Sequence, residues 1–333
     1  MSASPQKFEQ PIGRAAPRKS ILTRYAAYLH ERFPLLSNAL LIVSFFSSNQ
    51  FLAQSLDRSE QPVRYDMWSG LGALTICCFF LHVRIFDDHK DYRHDCEFYP
   101  NRVLQRGIVT LTDLKWLLAI VLLIECIITF GCGMATWFAW SAALLFSLLM
   151  LREFFLGSWL RDRFLLYASL HMLLIPALTA VIWSFATRRY FWHAPAWYWL
   201  YSLVSYLLAF NWEVSRKIRV PQDERDGVDS YSARFGTYGA AWGSQMFRVV
   251  STILVMLLAY HMDLSLRFYG ILLLLLALCS IGFVQHLLAA SSQTAKRLEI
   301  YAGIYILAFD ALLSIELASR YGIRIDAPGS LVR

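Results

Sequence analysis

Residues 111–151 read LTDLKWLLAIVLLIECIITFGCGMATWFAWSAALLFSLLML. The stretch consists of two apolar segments, 111–130 and 133–151, which are separated by Gly131 and Cys132. Because a helix needs about 20 mostly apolar residues to cross a bilayer, each segment is long enough to span it. Glycine allows a tight turn between them. The stretch therefore predicts a hairpin of two transmembrane helices.

Seven more segments have the same character, so the sequence predicts about nine transmembrane helices. Of the 333 residues, 57% are apolar and 17% are charged, whereas a soluble domain usually carries about 25% charged residues. This composition excludes a soluble, disordered or fibrous protein and predicts an all-α polytopic membrane protein. The other segments are 34–56, 66–86, 164–186, 196–215, 242–261, 266–288 and 299–318.

The segment before the first span is polar and basic, and residues 1–33 are expected to form a cytoplasmic leader. Within it, residues 18–33 place apolar side chains at helical spacing, which predicts an amphipathic helix on the membrane surface. Residues 34–333 are expected to form a single transmembrane domain. With the N-terminus inside, the inner segments hold 20 of the 31 lysines and arginines and the outer segments hold 8. This bias predicts a cytoplasmic N-terminus.

The loop after the second span carries a cluster of acidic side chains at a membrane boundary. It contains Asp87, Asp88, Asp91 and Asp95. If the helix of the second span continues, the last three share one face, where their charges repel unless a cation lies between them. Carboxylate oxygens suit Mg²⁺, which can bridge to a substrate phosphate. The alternative is a solvated helix end whose aspartates are neutralised by neighbouring basic side chains.

The same loop, residues 87–110, provides cations for a phosphate group. Arg93, Arg102 and Arg106 follow the aspartates, and guanidinium groups bind phosphate oxygens through paired hydrogen bonds. Arg102 lies seven residues after Asp95, so that a turn can fold it back over the carboxylates. The loop is therefore expected to bind a metal ion together with a phosphorylated substrate.

The loop after the sixth span, residues 211–241, also combines acidic and basic side chains. Glu213 lies one helical turn before Lys217, so the two could form a simple ion pair or take part in a site. Both acidic loops follow an even-numbered span, which places them on the same, cytoplasmic side of the membrane. The second loop is therefore predicted to complete the site of the first. Its further candidates are Asp223, Arg225 and Asp226.

The first loop resembles a motif of the UbiA-type intramembrane prenyltransferase superfamily. That motif is Asn-Asp-x-x-Asp-x-x-x-Asp, followed by a stretch like Arg-Pro-Leu-x-x-Gly-x-Ile-Ser. Asp88, Asp91 and Asp95 match its three aspartates. The chain departs from the pattern at Asp87, which stands where the family has asparagine, and at Val103, which replaces the proline.

The second loop departs further from the family pattern. The family has an aspartate-rich segment that leads to Thr-Leu-Pro-x-x-x-Gly, and residues 230–236 (SYSARFG) occupy the end of that segment. Glu213 would replace its first aspartate, and Asp223 or Asp226 would be its last acidic member. The Tyr-x-x-x-Lys motif of the family is absent between the fourth and fifth spans, where Arg152 stands near the place of the lysine.

The resemblance implies a ring of nine helices around a central cavity, capped by the two acidic loops. Members of the family bind an allylic prenyl diphosphate through Mg²⁺, ionise it and let an acceptor capture the carbocation. The implied partners are a prenyl diphosphate, a small aromatic or lipid-soluble acceptor and membrane lipid, without nucleic acid. The resemblance implies four catalytic residues: Asp88, Asp91, Arg102 and Lys217. It implies that the diphosphate is bound by Arg93, Arg106, Arg152 and Arg225. The implied Mg²⁺ ligands are Asp87, Asp88, Asp91, Asp95, Glu213, Asp223 and Asp226.

Other functions fit parts of the pattern. Within the same superfamily, a terpene cyclase would use the substrate's own double bond as nucleophile, and a phosphoribosyl-type transferase would move a phosphorylated sugar to a polyprenyl phosphate. A transporter is disfavoured, because the carboxylates gather at one membrane face rather than near the midplane. Two deeper acidic residues, Glu125 and Asp310, could line an acceptor pocket, accept a proton or pair with a neighbouring helix.

Overall fold

The protein is a bundle of long helices in the computed structural model, which describes residues 20–57 and 62–326. The helices of these ranges are α1 (Ile21–Arg32), α2 (Leu35–Asp57), α3 (Met67–Lys90), α4 (Tyr92–Phe98), α5 (Leu111–Cys132), α6 (Met134–Leu151), α7 (Gly157–Arg161), α8 (Phe164–Met172), α9 (Leu174–Thr187), α10 (Ala196–Ser215), α11 (Tyr231–His261), α12 (Leu266–Leu288) and α13 (Ser292–Tyr321). Two short strands accompany them, β1 (Val63–Tyr65) and β2 (Ile323–Ile325).

Eight helical stretches in the described part of the chain are long and apolar enough to cross a membrane. One of them joins α8 and α9, which together cover Phe164–Thr187. The ninth predicted span, 196–215, is α10; its three tryptophans and three tyrosines make it less apolar than its neighbours. Tyr198 and Tyr201 of α10 are nevertheless fully buried in the bundle. The prediction of an all-α polytopic membrane protein is confirmed.

The helices pack in two groups that share α2. One group consists of α3, α5, α6 and α9, and the other of α10, α11, α12 and α13. Phe46, Phe79 and Ile182 belong to the apolar core of the first group, and Leu258 and Phe309 to that of the second. Between α2 and α13 an apolar groove of about 450 Å³ opens on the side of the bundle.

The two ends of the bundle differ in structure. At one end β1 and β2 pair in parallel, with Val63 opposite Ile323, and so connect the start of α3 to the end of α13. The sequence analysis did not predict these strands, because three residues are too few to show a strand pattern. At the other end α3 and α10 finish and both acidic loops begin. We call this the acidic end.

Helix α1 packs on the acidic end rather than standing apart from the bundle. The predicted amphipathic helix of residues 18–33 occurs as Ile21–Arg32, whereas residues 1–19 of the predicted leader lie outside the described residues. Tyr28 of α1 is fully buried, in a small apolar cluster with Ile85 and Val103. This contact gives α1 a fixed position next to the first acidic loop.

The two deep acidic side chains pair with neighbouring helices. Glu125 lies 2.8 Å from Nδ1 of His82. Asp310 accepts hydrogen bonds of 2.8 Å from the hydroxyl groups of Ser48 and Tyr201. Of the roles left open by the sequence, these contacts match interhelical pairing, which holds α2, α10 and α13 together in one group and α3 and α5 in the other.

Candidate active site

The aspartates of the first loop lie where α3 ends and α4 begins. The backbone N–H of Asp95 donates to the carbonyl of Asp91 at 2.9 Å, so the chain stays helical across the junction. Asp88 and Asp95 are buried, with 1% and 5% of their surfaces exposed. The continuation of the helix that the sequence analysis assumed therefore occurs, with one interruption at Asp91.

Asp88 is bound by two side chains of α1. The hydroxyl of Tyr28 donates to its Oδ2 at 2.7 Å, and Arg32 contacts its Oδ1 through Nη2 and through Nε at 3.2 Å. Burial and the negative charge of Asp88 raise the pKa of Tyr28, so the hydroxyl keeps its proton and remains a donor. Sequence reasoning missed both residues, although they are four apart on an amphipathic helix and therefore share one face.

Asp95 is bound by Arg102, which the following turn folds back over the carboxylate. Nη1 of Arg102 lies 2.5 Å from Oδ2 of Asp95. The guanidinium of Arg102 also lies 3.8 Å from the ring centre of Tyr99, a cation–π contact. Arg32 approaches the same carboxylate at 3.7 Å. Arg32 thus lies between Asp88 and Asp95.

The first loop offers the all-oxygen donor set that suits Mg²⁺. In the described residues no three His, Cys, Asp or Glu side chains are arranged as a ready metal-binding group. Arg32 and Arg102 pair with two of the carboxylates, Asp88 and Asp95. Asp91 is exposed at its surface, yet desolvation at the helix junction and the charges of Asp87 and Asp95 raise its pKa, against the opposing charge of Lys90. A carboxylate under such repulsion is stabilised by a divalent cation. The chemistry of the donor set therefore fits Mg²⁺, while two of its carboxylates pair with arginines in this structure.

Glu213 of the second loop is bound by the basic residues that follow it. It is 6% exposed and accepts from Nε of Arg216 at 2.6 Å and from Nζ of Lys217 at 2.8 Å. The ion pair that the i, i+4 spacing predicted is therefore present. Three other candidates of this loop lie exposed in the turn that follows: Asp223, Arg225 and Asp226.

The two acidic loops contact each other at Gly227. Its carbonyl oxygen lies 3.2 Å from Nε2 of His94, on α4. Gly227 has a φ of +80°, and a Cβ at this position would lie 2.6 Å from the ring of Phe98. Both the backbone conformation and the close approach therefore require glycine. The contact brings the aspartates of the two loops to the same end of the bundle.

Comparison with known proteins identifies this architecture. No known family model matches the sequence, and no curated protein matches it. A structure of digeranylgeranylglyceryl phosphate synthase has 17% sequence identity, covers 90% of this chain and 99% of its own, and gives a TM-score of 0.58. The apo structure of a UbiA homolog from Aeropyrum pernix K1 has 16% identity, covers 82% of this chain and 98% of its own, and gives a TM-score of 0.57. The chain has the UbiA-type fold.

The UbiA-type fold confirms the resemblance inferred from the two loops. In this fold the remaining basic candidates differ in their contacts. Arg106 lies 3.3 Å from Glu31 of α1, while Arg93 and Arg152 are exposed and form no ion pair with a described residue. The assignment of individual residues to metal or phosphate stays a prediction.

A lysine–tyrosine pair at the acidic end was not predicted. Nζ of Lys90 lies 3.3 Å from the hydroxyl of Tyr167 on α8 and 3.6 Å from Asp87. The Tyr-x-x-x-Lys motif of UbiA-type proteins is absent from this sequence, but a tyrosine and a lysine from different helices meet here. Sequence spacing does not reveal such a pair, because its members are 77 residues apart.

Proposed function

We propose that the protein transfers a prenyl group from a prenyl diphosphate to a small aromatic or lipid-soluble acceptor within the membrane. The observation that carries this proposal is the contact of the two acidic loops, through His94 and Gly227, at one end of a UbiA-type bundle. The contact supports one shared site, in which carboxylates from both loops face the same substrate. Basic side chains lie beside several of these carboxylates, which places possible partners for phosphate oxygens next to the oxygens proposed for the metal.

The carboxylates are proposed to hold Mg²⁺ against the diphosphate. Bound Mg²⁺ would neutralise the diphosphate and act as a Lewis acid, which makes it a better leaving group. Asp88, Asp91 and Asp95 are the principal ligands in this proposal, because they match the motif and lie on successive helical turns across the junction of α3 and α4. The other proposed ligands are Asp87, Glu213, Asp223 and Asp226.

Basic side chains of both loops are proposed to bind the diphosphate oxygens. Arg102 is held by Asp95 on one side and the Tyr99 ring on the other, which orients its planar guanidinium before the substrate arrives. Lys217 is oriented in the same way by Glu213. The side chains proposed to support them are Arg93, Arg106, Arg152 and Arg225.

The groove between α2 and α13 is proposed to admit the isoprenoid tail. It is lined mainly by apolar side chains, among them Leu40, Val43 and Leu307, and opens to the side of the bundle. A tail as apolar as lipid can enter such a groove directly from the bilayer without passing through water. Exclusion of water also protects a carbocation from hydrolysis.

The acidic end is proposed to face the cytoplasm. The distribution of lysine and arginine supports this orientation, and the two acidic loops lie at the same end as α1. Prenyl diphosphates are water-soluble at their charged end, so a site at this boundary can take the head group from water and the tail from lipid.

Incubation of the purified protein with prenyl diphosphates of ten to twenty carbons tests the proposal. Each donor is supplied with Mg²⁺ or with EDTA, and with or without a panel of aromatic and lipid acceptors. Released diphosphate is quantified, and products are identified by mass spectrometry. The proposal predicts Mg²⁺-dependent diphosphate release and an alkylated acceptor. A cyclised hydrocarbon without acceptor would instead identify a cyclase, and the absence of diphosphate release with every donor would refute the proposal.

A further inference from the structure

A histidine lies inside the membrane part of the bundle, one helical turn from the lysine–tyrosine pair. Nδ1 of His171 lies 2.8 Å from the backbone carbonyl oxygen of Tyr167. Because a carbonyl oxygen only accepts, the neutral imidazole must carry its proton on Nδ1, which leaves a lone pair on Nε2. Nε2 is buried and has no hydrogen-bond partner in the described part of the chain. It is therefore a free proton acceptor.

Aromatic rings surround this imidazole. The ring centre of Tyr167 lies 4.1 Å from it, and the ring of Phe154 packs edge-on at 5.8 Å. Phe154 belongs to a turn in which three consecutive residues, Glu153 to Phe155, have positive φ angles between 48° and 58°. Left-handed backbone at non-glycine residues is costly and concentrates at functional sites. The turn holds Phe154 against His171.

His171 is connected to the acidic end through its own helix. Tyr167 contacts Lys90, which lies in sequence between Asp88 and Asp91. Four residues further along α8, His171 lies about 6 Å deeper in the bundle. A base at this depth would be near the carbon end of a diphosphate substrate whose head group lies at the acidic end.

Charged groups of both signs lie around His171. Asp87 and Lys90 face it from α3, and Glu153 faces it from the strained turn. From α10, Tyr206 belongs to the same apolar cluster as Met172, the next residue of α8. Two carboxylates and one ammonium group therefore lie within electrostatic range of the imidazole, in a buried setting that favours its neutral, proton-accepting form.

We propose that His171 takes up, at Nε2, the proton that the acceptor loses during prenyl transfer. This inference rests on the proposed function. The bond between C1 of the prenyl group and the diphosphate oxygen breaks, and its electron pair leaves with the diphosphate. A new bond forms between C1 and a nucleophilic carbon or oxygen of the acceptor. The proton displaced from that atom moves to Nε2, and from there to solvent or to the departing diphosphate.

Two other histidines of the described residues have a buried Nε2 without a hydrogen-bond partner, His89 and His286. His89 lies on α3 between Asp88, a proposed metal ligand, and Lys90, so it is no control. His286 is fully buried and lies 2.9 Å from Thr294 through Nδ1, but it is on α12 and has no contact with Lys90 or Tyr167. It is therefore a matched control: a buried histidine with the same free nitrogen, outside the proposed site.

The test separates proton uptake from ionisation of the donor. The His171→Asn variant keeps a hydrogen-bond donor, the side-chain amide, near the Tyr167 carbonyl and removes Nε2. The control is the His286→Asn variant. We expect His171→Asn to reduce product formation by about 100-fold to 10,000-fold, while Mg²⁺-dependent diphosphate release without acceptor changes less than about threefold and the control stays near wild type. In the wild type, kcat/KM for the acceptor should fall at acidic pH as the imidazole becomes protonated. The rate of diphosphate release without acceptor should not show this decrease at acidic pH.

Two results would overturn the role of His171. One is product formation by His171→Asn at the wild-type rate; the other is an equal loss of acceptor-free diphosphate release, which would indicate damage to the donor site instead. If the variant does not fold, the comparison of the two wild-type pH profiles decides the matter, and identical profiles reject the proposal. A wild-type protein that releases no diphosphate from any donor would refute the proposed function itself, and this inference with it.

Discussion

The Nε atom of Arg32 lies 3.2 Å from Oδ1 of Asp88, 56 residues further along the chain. Both side chains are largely buried, with 10% and 1% exposed. A buried carboxylate needs a countercharge, and helix α1 supplies one beside Arg84 of α3, which lies 3.3 Å from the same Oδ1. Because Asp88 is also a proposed Mg²⁺ ligand, the guanidinium and the metal ion compete for the same oxygens. If Asp88 binds the metal as proposed, the position of the first helix depends on whether the metal is bound.

Replacement of Arg32 should make the protein depend on Mg²⁺ for stability. Arg32→Gln leaves Asp88 with only its longer ion pair, to Arg84 at 3.3 Å, so the metal-free protein should lose about 1.5–3 kcal/mol of unfolding free energy. Mg²⁺ should restore most of this loss, since it takes the place of the guanidinium. Thermal melting in EDTA and in Mg²⁺ measures both effects.

Arg24→Gln is the control for this variant. Arg24 is on the same helix and lies 2.5 Å from Asp113, which is outside the proposed site. Its loss should destabilise α1 to a similar extent in EDTA and in Mg²⁺. Equal restoration of both variants by Mg²⁺ would contradict the competition between Arg32 and the metal.

Asp91 should matter for turnover far more than for folding. Asp91→Asn keeps the shape of the side chain and removes one proposed metal ligand, which should cost about 3 kcal/mol of transition-state stabilisation and lower turnover at least ~100-fold. The metal-free protein should melt no lower than wild type, because the charge at Asp91 is disfavoured in the fold. Asp229→Asn is the control: it is 70% exposed and pairs only loosely with Arg234, at 3.7 Å. Equal turnover of the two variants would remove Asp91 from the site.

The raised pKa of Asp91 predicts how Mg²⁺ stabilisation varies with pH. Desolvation and the neighbouring aspartates raise this pKa, so the ionised form destabilises the metal-free fold at pH values above the folded-state pKa. As pH falls through that pKa, protonation removes the cost. Mg²⁺ removes the same cost by binding the ionised form, so its stabilising effect should be largest near neutral pH and vanish in acid. Melting temperatures with and without Mg²⁺ between pH 4 and pH 8 measure this; a pH-independent difference would contradict it.

The sequence predicted the spans and the first loop better than the contacts between distant segments. Apolar length fixes each span locally, and the turn that returns Arg102 to Asp95 is only seven residues long. By contrast, the partners of Asp88 on α1, and the approach of Tyr167 to Lys90, depend on how separate helices pack. Such pairs leave no spacing pattern in a single sequence, because tertiary packing and not local periodicity brings them together. For the same reason, the parallel pairing of β1 with β2 was not predicted from the sequence.

Loss of the contact between the two loops should impair activity more than stability. Gly227→Ala forces a left-handed alanine, at about 1–2 kcal/mol, and drives its Cβ against Phe98. The second loop should then move away from α4, and turnover should fall about tenfold or more. Gly322→Ala is the control, because Gly322 has a similar φ of +75°, a Cβ there would meet only Pro62 at an ordinary 3.9 Å, and it lies at the opposite end of the bundle. If both variants lose stability equally and retain full turnover, the loop contact does not build the site.

Arg102 and Lys217 are proposed to bind the diphosphate oxygens from two sides, and we call this pair the clamp. Loss of either residue should weaken binding of the prenyl diphosphate donor and not of the acceptor. Arg102 and Lys217 are each held beside a carboxylate, at 2.5 Å from Asp95 and 2.8 Å from Glu213. Replacement of either by Gln removes a charge-assisted hydrogen bond to phosphate, worth about 1.5–3 kcal/mol. The KM for the donor should therefore rise about 10-fold to 100-fold, while the KM for the acceptor stays nearly constant. Steady-state kinetics with the two substrates varied separately measure this.

Two further variants distinguish the clamp from a general effect of charge. Arg102→Lys should recover only part of the donor affinity, because an ammonium group does not reproduce the paired hydrogen bonds of a guanidinium. Lys296→Gln breaks a comparable pair with Glu299, of 2.7 Å, at the same end of the bundle but on α13, and should leave both KM values unchanged. A normal donor KM in Arg102→Gln and Lys217→Gln would refute the clamp, and recognition of the diphosphate would then depend on the metal ions and on Arg93, Arg106 or Arg225.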